Sequence, residues 1–155
     1  MPTVFISHSS ADKSLLENLK KELTNFGIDS YVAEEDIKAG ESLPEKIEQN
    51  IDNAQFVVAI ITAQSNRSPS VNQELGYAKR GNKLIIALKE EGVETGVLLQ
   101  GLEYISFSVG DITSAIKSAV SYINHLIEKN KTKVTIGAVI ILGLAALLIY
   151  FSSKK

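Results

Sequence analysis

The sequence predicts an α/β domain built on a doubly wound parallel sheet, and three observations carry that prediction. Phe56 to Ile61, FVVAII, is apolar at every position. A strand with one wet face alternates apolar and polar residues. A continuous run is how a strand covered on both faces of a parallel sheet reads. Leu84 to Leu88, LIIAL, has the same character. Between the apolar runs, leucine and isoleucine return every three to four residues, the period of a helix. Short strands alternating with amphipathic helices specify a sheet with helices on both faces.

Taken in order, Val4-Phe5-Ile6 is a first strand ending in the polar cluster Ser7-His8-Ser9-Ser10. Leu15, Leu19, Leu23 and Phe26 recur at helical spacing, and Gly27 is placed to end that helix. Ile28 to Ala33 is a second strand, and Ala39-Gly40 marks the loop after it. Ser42 with Glu45 forms a capping-box pattern, with Leu43, Ile47 and Ile51 on one face of the next helix. The third strand, Phe56–Ile61, leads through a polar loop to a helix opened by Ser70 and ended at Gly81. Leu84–Leu88 is the fourth strand. After a glycine-bearing irregular stretch, Tyr104–Phe107 is the fifth, and a long helix runs from about Asp111 to Glu128. Right-handed crossovers reduce the topologies to a flavodoxin-like order, 2-1-3-4-5.

The chain has 155 residues, a net charge of -2 and 45% apolar residues, values that argue against a basic nucleic-acid binder. Without cysteine there are no disulfides, thiolate metal sites or cysteine nucleophile. Two histidines far apart, His8 and His125, argue against a His-based metal cluster. Val134 to Phe151 carries no charge over 18 residues. At about 1.5 Å per residue it approaches the roughly 30 Å of a bilayer core. A core helix of a small domain keeps one polar face, and this segment has none. Lys129, Lys131 and Lys133 precede it, and Tyr150 and Phe151 sit where an interfacial aromatic belt would. The expectation is a single-pass C-terminal (tail) anchor in the lipid bilayer, with the folded domain in the cytoplasm.

Sheets of this kind bind ligands at the carboxyl ends of their strands, beside the switch point between strands 1 and 3. That rule brings together the Ser7–Ser10 loop, the Ala33–Leu43 loop, and the loop and helix start from Ser65 to Glu74. Several tenants of the architecture are excluded. Met1-Pro2-Thr3 lacks the acidic pair of a receiver domain, and neither a P-loop nor the dinucleotide-binding glycine fingerprint occurs. A flavin-phosphate loop built on Ser7, Ser9 and Ser10 would lack a glycine for close approach.

Three segments at the switch point resemble one family. VFISHSSADK (Val4–Lys13) resembles the first box of Toll/interleukin-1 receptor (TIR) domains. EEDIKAGESLPEKI (Glu34–Ile47) resembles their long loop after strand 2. SPSVNQELGYA (Ser68–Ala78) resembles the helix that carries their glutamate. The likeness is nearest to prokaryotic single-domain members, often tied to defence. Together with the uncharged span and its flanking lysines, it gives the expected division 1–128 TIR domain, 129–133 basic juxtamembrane linker, 134–151 transmembrane helix and 152–155 basic tail.

The resemblance implies one of two functions. Some TIR domains signal only by assembly. Others cleave NAD⁺ to nicotinamide and ADP-ribose, or a cyclised form of it, using a glutamate on the third helix. By position that is Glu74. NAD⁺ is then a substrate, and no cofactor or metal is called for. The chemistry is coherent, because a cationic nicotinamide leaves neutral and needs no general acid. One ionised carboxylate near the ribose can stabilise the charge developing at the anomeric carbon. With Ser70 as N-cap and Gln73 closing a capping box, Glu74 falls in the first turn, where the helix dipole favours an anion. Many TIR enzymes have a tryptophan four residues before the glutamate, and here that place is Ser70. The substrate-binding candidates are His8, Ser9, Lys38, Gly40, Arg67, Ser70 and Tyr77. His8 and Ser9 would meet ribose or the nicotinamide amide, and Lys38 and Arg67 phosphates. Gly40 would lend backbone freedom to a loop that covers the pocket and engages a neighbouring subunit. Self-association through TIR domains is the implied partner interaction, alongside NAD⁺ and the bilayer.

Overall fold

A computed structural model describes residues 1–32, 42–94, 99–100, 104–108 and 110–130. Five strands, β1 (Thr3–Ser7), β2 (Asp29–Val32), β3 (Phe56–Ile61), β4 (Leu84–Glu90) and β5 (Tyr104–Phe107), alternate with four helices, α1 (Lys13–Asn25), α2 (Leu43–Asn53), α3 (Pro69–Arg80) and α4 (Ile112–Asn130). The sheet order is β2-β1-β3-β4-β5, and every pairing is parallel. The predicted order is therefore the observed one.

The two-sided burial read from the apolar runs is present residue by residue. Along β3, Phe56, Val58 and Ile60 join one cluster with Leu16, Leu19 and Leu23 of α1 and Ile116, Val120 and Ile123 of α4. Val57, Ala59 and Ile61 point the other way, into a cluster with Ile51 of α2 and Val71, Leu75 and Ala78 of α3. Burying each large side chain of this kind stabilises the fold by about 1.5–3 kcal/mol. The two clusters lock the register, since a one-residue slip would exchange the faces.

The helix ends follow local rules. Gly27, at φ +68, closes α1: its N–H donates to Thr24 O at 2.9 Å and that of Ile28 to Leu23 O at 3.0 Å. These paired bonds make a Schellman motif, and Ile28 packs with Leu23 in the same cluster. Phe26, assigned to the buried stripe from its spacing, is instead the capping residue and is 43% exposed. At the end of α3 the left-handed residue is Asn82, at φ +53, one position after Gly81. In α2 the buried stripe begins at Ile47, because Leu43 at the first helical position is exposed, and Ser42 caps without a side-chain bond.

One boundary bears on the site. The N-cap of α3 is Ser68, whose side chain accepts from Val71 N at 3.4 Å, and not Ser70. Pro69 explains this, since proline lacks an N–H and favours the first helical position, which makes the residue before it the cap. The Ser70–Gln73 capping box is thus not formed, and Glu74 sits in the second turn rather than the first. The dipole, which fades within a turn, has little hold on it there.

The segment 134–151, expected to cross a membrane, lies outside the described residues, as do Lys38 and Gly40. Among the described residues no helix is long and apolar enough to cross a membrane.

Candidate active site at the carboxyl end of the sheet

Ser7 is the last residue of β1, opposite Ala59 of β3 in the register. It shares a face with Phe5, two residues back, and therefore looks toward α2 and α3. α3 is held against that face by Val71, Leu75 and Ala78. Glu74 lies between these anchors in sequence, and its Oε2 accepts a hydrogen bond from Ser7 Oγ at 2.5 Å. Both residues are buried, Ser7 fully and Glu74 with 7% of its surface exposed. Charge-assisted hydroxyl-to-carboxylate bonds fall at this short length. A carboxylate inserted beside the end of β1 is thus fixed at the switch point of the sheet.

A second polar cluster joins the loops beside it. Asp12 is 6% exposed. Its Oδ2 accepts from Ser9 Oγ at 2.7 Å, and Thr62 Oγ1 reaches Oδ1 at 3.0 Å and Oδ2 at 3.1 Å. Thr62, just past β3, donates its N–H to Ser65 Oγ at 2.6 Å, and Ser65 N–H donates to Thr62 Oγ1 at 3.2 Å. The network ties the loop after β1 to the loop after β3. Any ligand entering the switch point would do so between loops already fastened to each other.

The expected site residues divide accordingly. Ser9 is near the mouth, but its hydroxyl is engaged with Asp12. His8 follows Ser7 directly and is half-buried. Arg67 ends a short 3-10 turn ahead of α3 and is exposed, and Ser70 is exposed in the first turn of α3. Tyr77 belongs elsewhere. Its hydroxyl donates to Asp52 Oδ2 at 2.9 Å, near the end of α2, and its ring packs on the α2/α3 cluster. That end of α2 leads into the start of β3, so Tyr77 sits toward the amino end of the sheet, away from Glu74's mouth. The bond to Asp52 holds the Tyr77 phenol above its ordinary range, and desolvation adds to the rise.

Three participants carry little signal in the sequence. Ser7 is one loop serine among several, and for Asp12 and Thr62 the only local sign is that Ser9–Asp12 and Thr62–Ser65 share a three-residue spacing that suits side-chain turns. Lys89 is a further surprise. It is buried near the end of β4, with Nζ 4.6 Å from the centroid of the Tyr104 ring. A cation over an aromatic face offsets part of its desolvation. Among the described residues no group of histidine, aspartate and glutamate side chains could hold a metal ion.

The TIR domain family description matches residues 4–120, from β1 into α4. The chain belongs to the TIR domain family. It is similar to the 2' cyclic ADP-D-ribose synthase BtTIR of Bacteroides thetaiotaomicron, with 29% identity over 132 residues that take in 82% of this chain. The chain spans 44% of the length of that curated relative. Among solved structures it resembles the TIR domain of the Toll-related Receptor TRR-2 from Hydra magnipapillata. The TM-score is 0.68 and the identity 18%, over 79% of this chain and 97% of that one. The CMP N-glycosidase BcmB of Clostridium botulinum superposes with a TM-score of 0.55 and 20% identity, over 68% and 88% of the two chains. At these identities the two structures bear on the fold alone. In this TIR domain the matched stretch contains Ser7, Asp12, Thr62 and Glu74 together.

Proposed function

We propose that this TIR domain cleaves NAD⁺ at the nicotinamide–ribose bond, with Glu74 as the anion beside the sugar. One observation carries the reading: a glutamate carboxylate is buried at the switch point of the sheet and fixed there by Ser7. In the reaction the bond from the anomeric carbon to nicotinamide nitrogen breaks, and its electron pair leaves with the nicotinamide, which becomes neutral. Glu74 accepts hydrogen bonds from ribose hydroxyls and stabilises the positive charge developing on the ring. The anomeric carbon then takes water or a hydroxyl of the ADP-ribosyl group itself, and the proton passes to solvent. A relative named as a 2' cyclic ADP-D-ribose synthase supports the second acceptor and a cyclic product.

In this reading His8 contacts the ribose or the amide, and Arg67 meets the pyrophosphate. Lys38 is assigned to phosphate binding and Gly40 to backbone freedom, both at positions outside the described residues. Residues 134–151 anchor the chain in a bilayer with the TIR domain on the cytoplasmic side. Confinement to a surface raises the effective concentration for self-association without new contacts. The role fits prokaryotic defence or signalling.

Purified chain on lipid vesicles, incubated with NAD⁺, is expected to release nicotinamide, and Glu74→Ala to release none. Equal release by both would remove Glu74 from the mechanism. A silent wild-type protein at high surface density would favour a second reading, a non-enzymatic scaffold for TIR–TIR contact. The observation on that side is Ser70, an exposed small residue where many TIR enzymes carry tryptophan.

A further inference from the structure

Glutamate reaches its site on three rotatable bonds, and α3 fixes only the first atom of that side chain. Val71, Leu75 and Ala78 hold the helix against the sheet but do not by themselves choose a carboxylate orientation. The helix dipole has little hold either, because Glu74 is in the second turn of α3. Ser7 is different in kind. Its backbone ends β1 and is paired with Ala59 of β3. Its side chain has one rotatable heavy-atom bond, it is fully buried, and its hydroxyl meets Glu74 Oε2 at 2.5 Å.

We infer that Ser7 is a positioning residue for the proposed reaction: its hydroxyl, carried at the end of β1 beside β3, sets the orientation in which Glu74 meets the ribose. The inference rests on the NAD⁺-cleavage reading and adds to it a second residue, 67 positions away in the chain. A carboxylate has about four acceptor sites. The bond to Ser7 occupies one of these and orients the group toward the mouth of the site. A group held near its reactive geometry loses less freedom in the transition state than one that must find it. Removing the hydroxyl should then slow the chemical step more than it weakens binding.

The test compares wild type, Glu74→Ala, Ser7→Ala and Ser7→Thr, each as full chain on vesicles, by nicotinamide release at varied NAD⁺ and by thermal melting. Ser7→Ala is expected to lower kcat by about 10- to 100-fold with little change in KM. Ser7→Thr, which keeps the hydroxyl, is expected to recover most of the lost kcat. A merely structural serine would give parallel losses of melting temperature and activity, with no rescue that separates the two. Should the extra methyl of Ser7→Thr prevent folding in this buried site, Ser7→Cys serves in its place. It is close in size but a poor donor, so it should fold and remain as slow as Ser7→Ala. An active wild type, an inactive Glu74→Ala and a Ser7→Ala with wild-type kcat would overturn the inference and leave the NAD⁺ reading standing. A wild type that releases no nicotinamide would overturn the reading, and the inference with it.

Discussion

Asp12 and Glu74 are the two carboxylates buried among the described residues, at 6% and 7% exposure, and both lie at the carboxyl end of the sheet. They are held differently. Asp12 has both oxygens engaged by hydroxyls from the loops that flank it, Ser9 on its own side and Thr62 across the switch point. That ties both of its oxygens to the flanking loops and makes the group a fastener. Glu74 comes from a helix and is met by a hydroxyl at the end of a central strand. In the proposed reaction the same burial serves cohesion in one group and chemistry in the other, and the difference lies in what each carboxylate connects. Asp12 joins loop to loop. Glu74 brings a charge from α3 to the edge where ligands enter this class of sheet.

The comparison is sharpest in Glu74→Ala, where the largest effect is expected. Losing a preorganised electrostatic contact at a reacting centre costs about 10²–10³-fold in turnover. Nicotinamide release should fall to background while urea unfolding moves less than it does for Asp12. The converse holds for Asp12→Ala. It leaves Ser9 and Thr62 without their shared acceptor, and bonds to a buried charged group are each worth about 1.5–3 kcal/mol. The urea midpoint should drop by the equivalent of about 3 kcal/mol with an unchanged slope. If Asp12→Ala lost activity at wild-type stability, the division between fastener and reactive group would fail.

A smaller effect sharpens the same point. Thr62→Val keeps shape but removes the hydroxyl that donates to Asp12 and accepts from Ser65 N–H. A loss of about 1–2 kcal/mol is expected by urea titration, with nicotinamide release per folded molecule unchanged. A stability equal to wild type would mean that Ser9 alone satisfies Asp12.

The sheet order was legible because two-sided strands and amphipathic helices leave different periods in the chain, and handedness restricts how they connect. Glu74 was legible by resemblance, at the one position where the helix motif requires it. Its partner was not. Ser7 and Glu74 are 67 residues apart, and no spacing in one sequence records that their side chains meet. Tyr77 was misplaced for a related reason. Three residues from Glu74 it is a neighbour on the helix surface, yet it lies further down α3 from the mouth and its hydroxyl donates to Asp52 of α2. Phe26 kept the helical spacing but fell at the turn made by Gly27. Periodicity marks a face; it does not mark where the helix stops presenting it.

The start of α3 was readable and was misassigned by two residues. Ser68 and Ser70 flank Pro69, and either hydroxyl could cap a helix; the proline decides for Ser68. The smallest predicted effect tests this. Ser68→Ala should cost about 0.5–1 kcal/mol, at the lower end of cap losses because its bond to Val71 N is 3.4 Å long. Ser70→Ala, an exposed change inside the first turn, should stay within about 0.5 kcal/mol of wild type. Paired urea titrations of the two variants separate these values. A larger loss at Ser70 would move the helix start by two residues and bring Glu74 into the first turn. The dipole would then share with Ser7 the work of holding the carboxylate, and Ser7→Ala would be correspondingly milder in its effect on turnover.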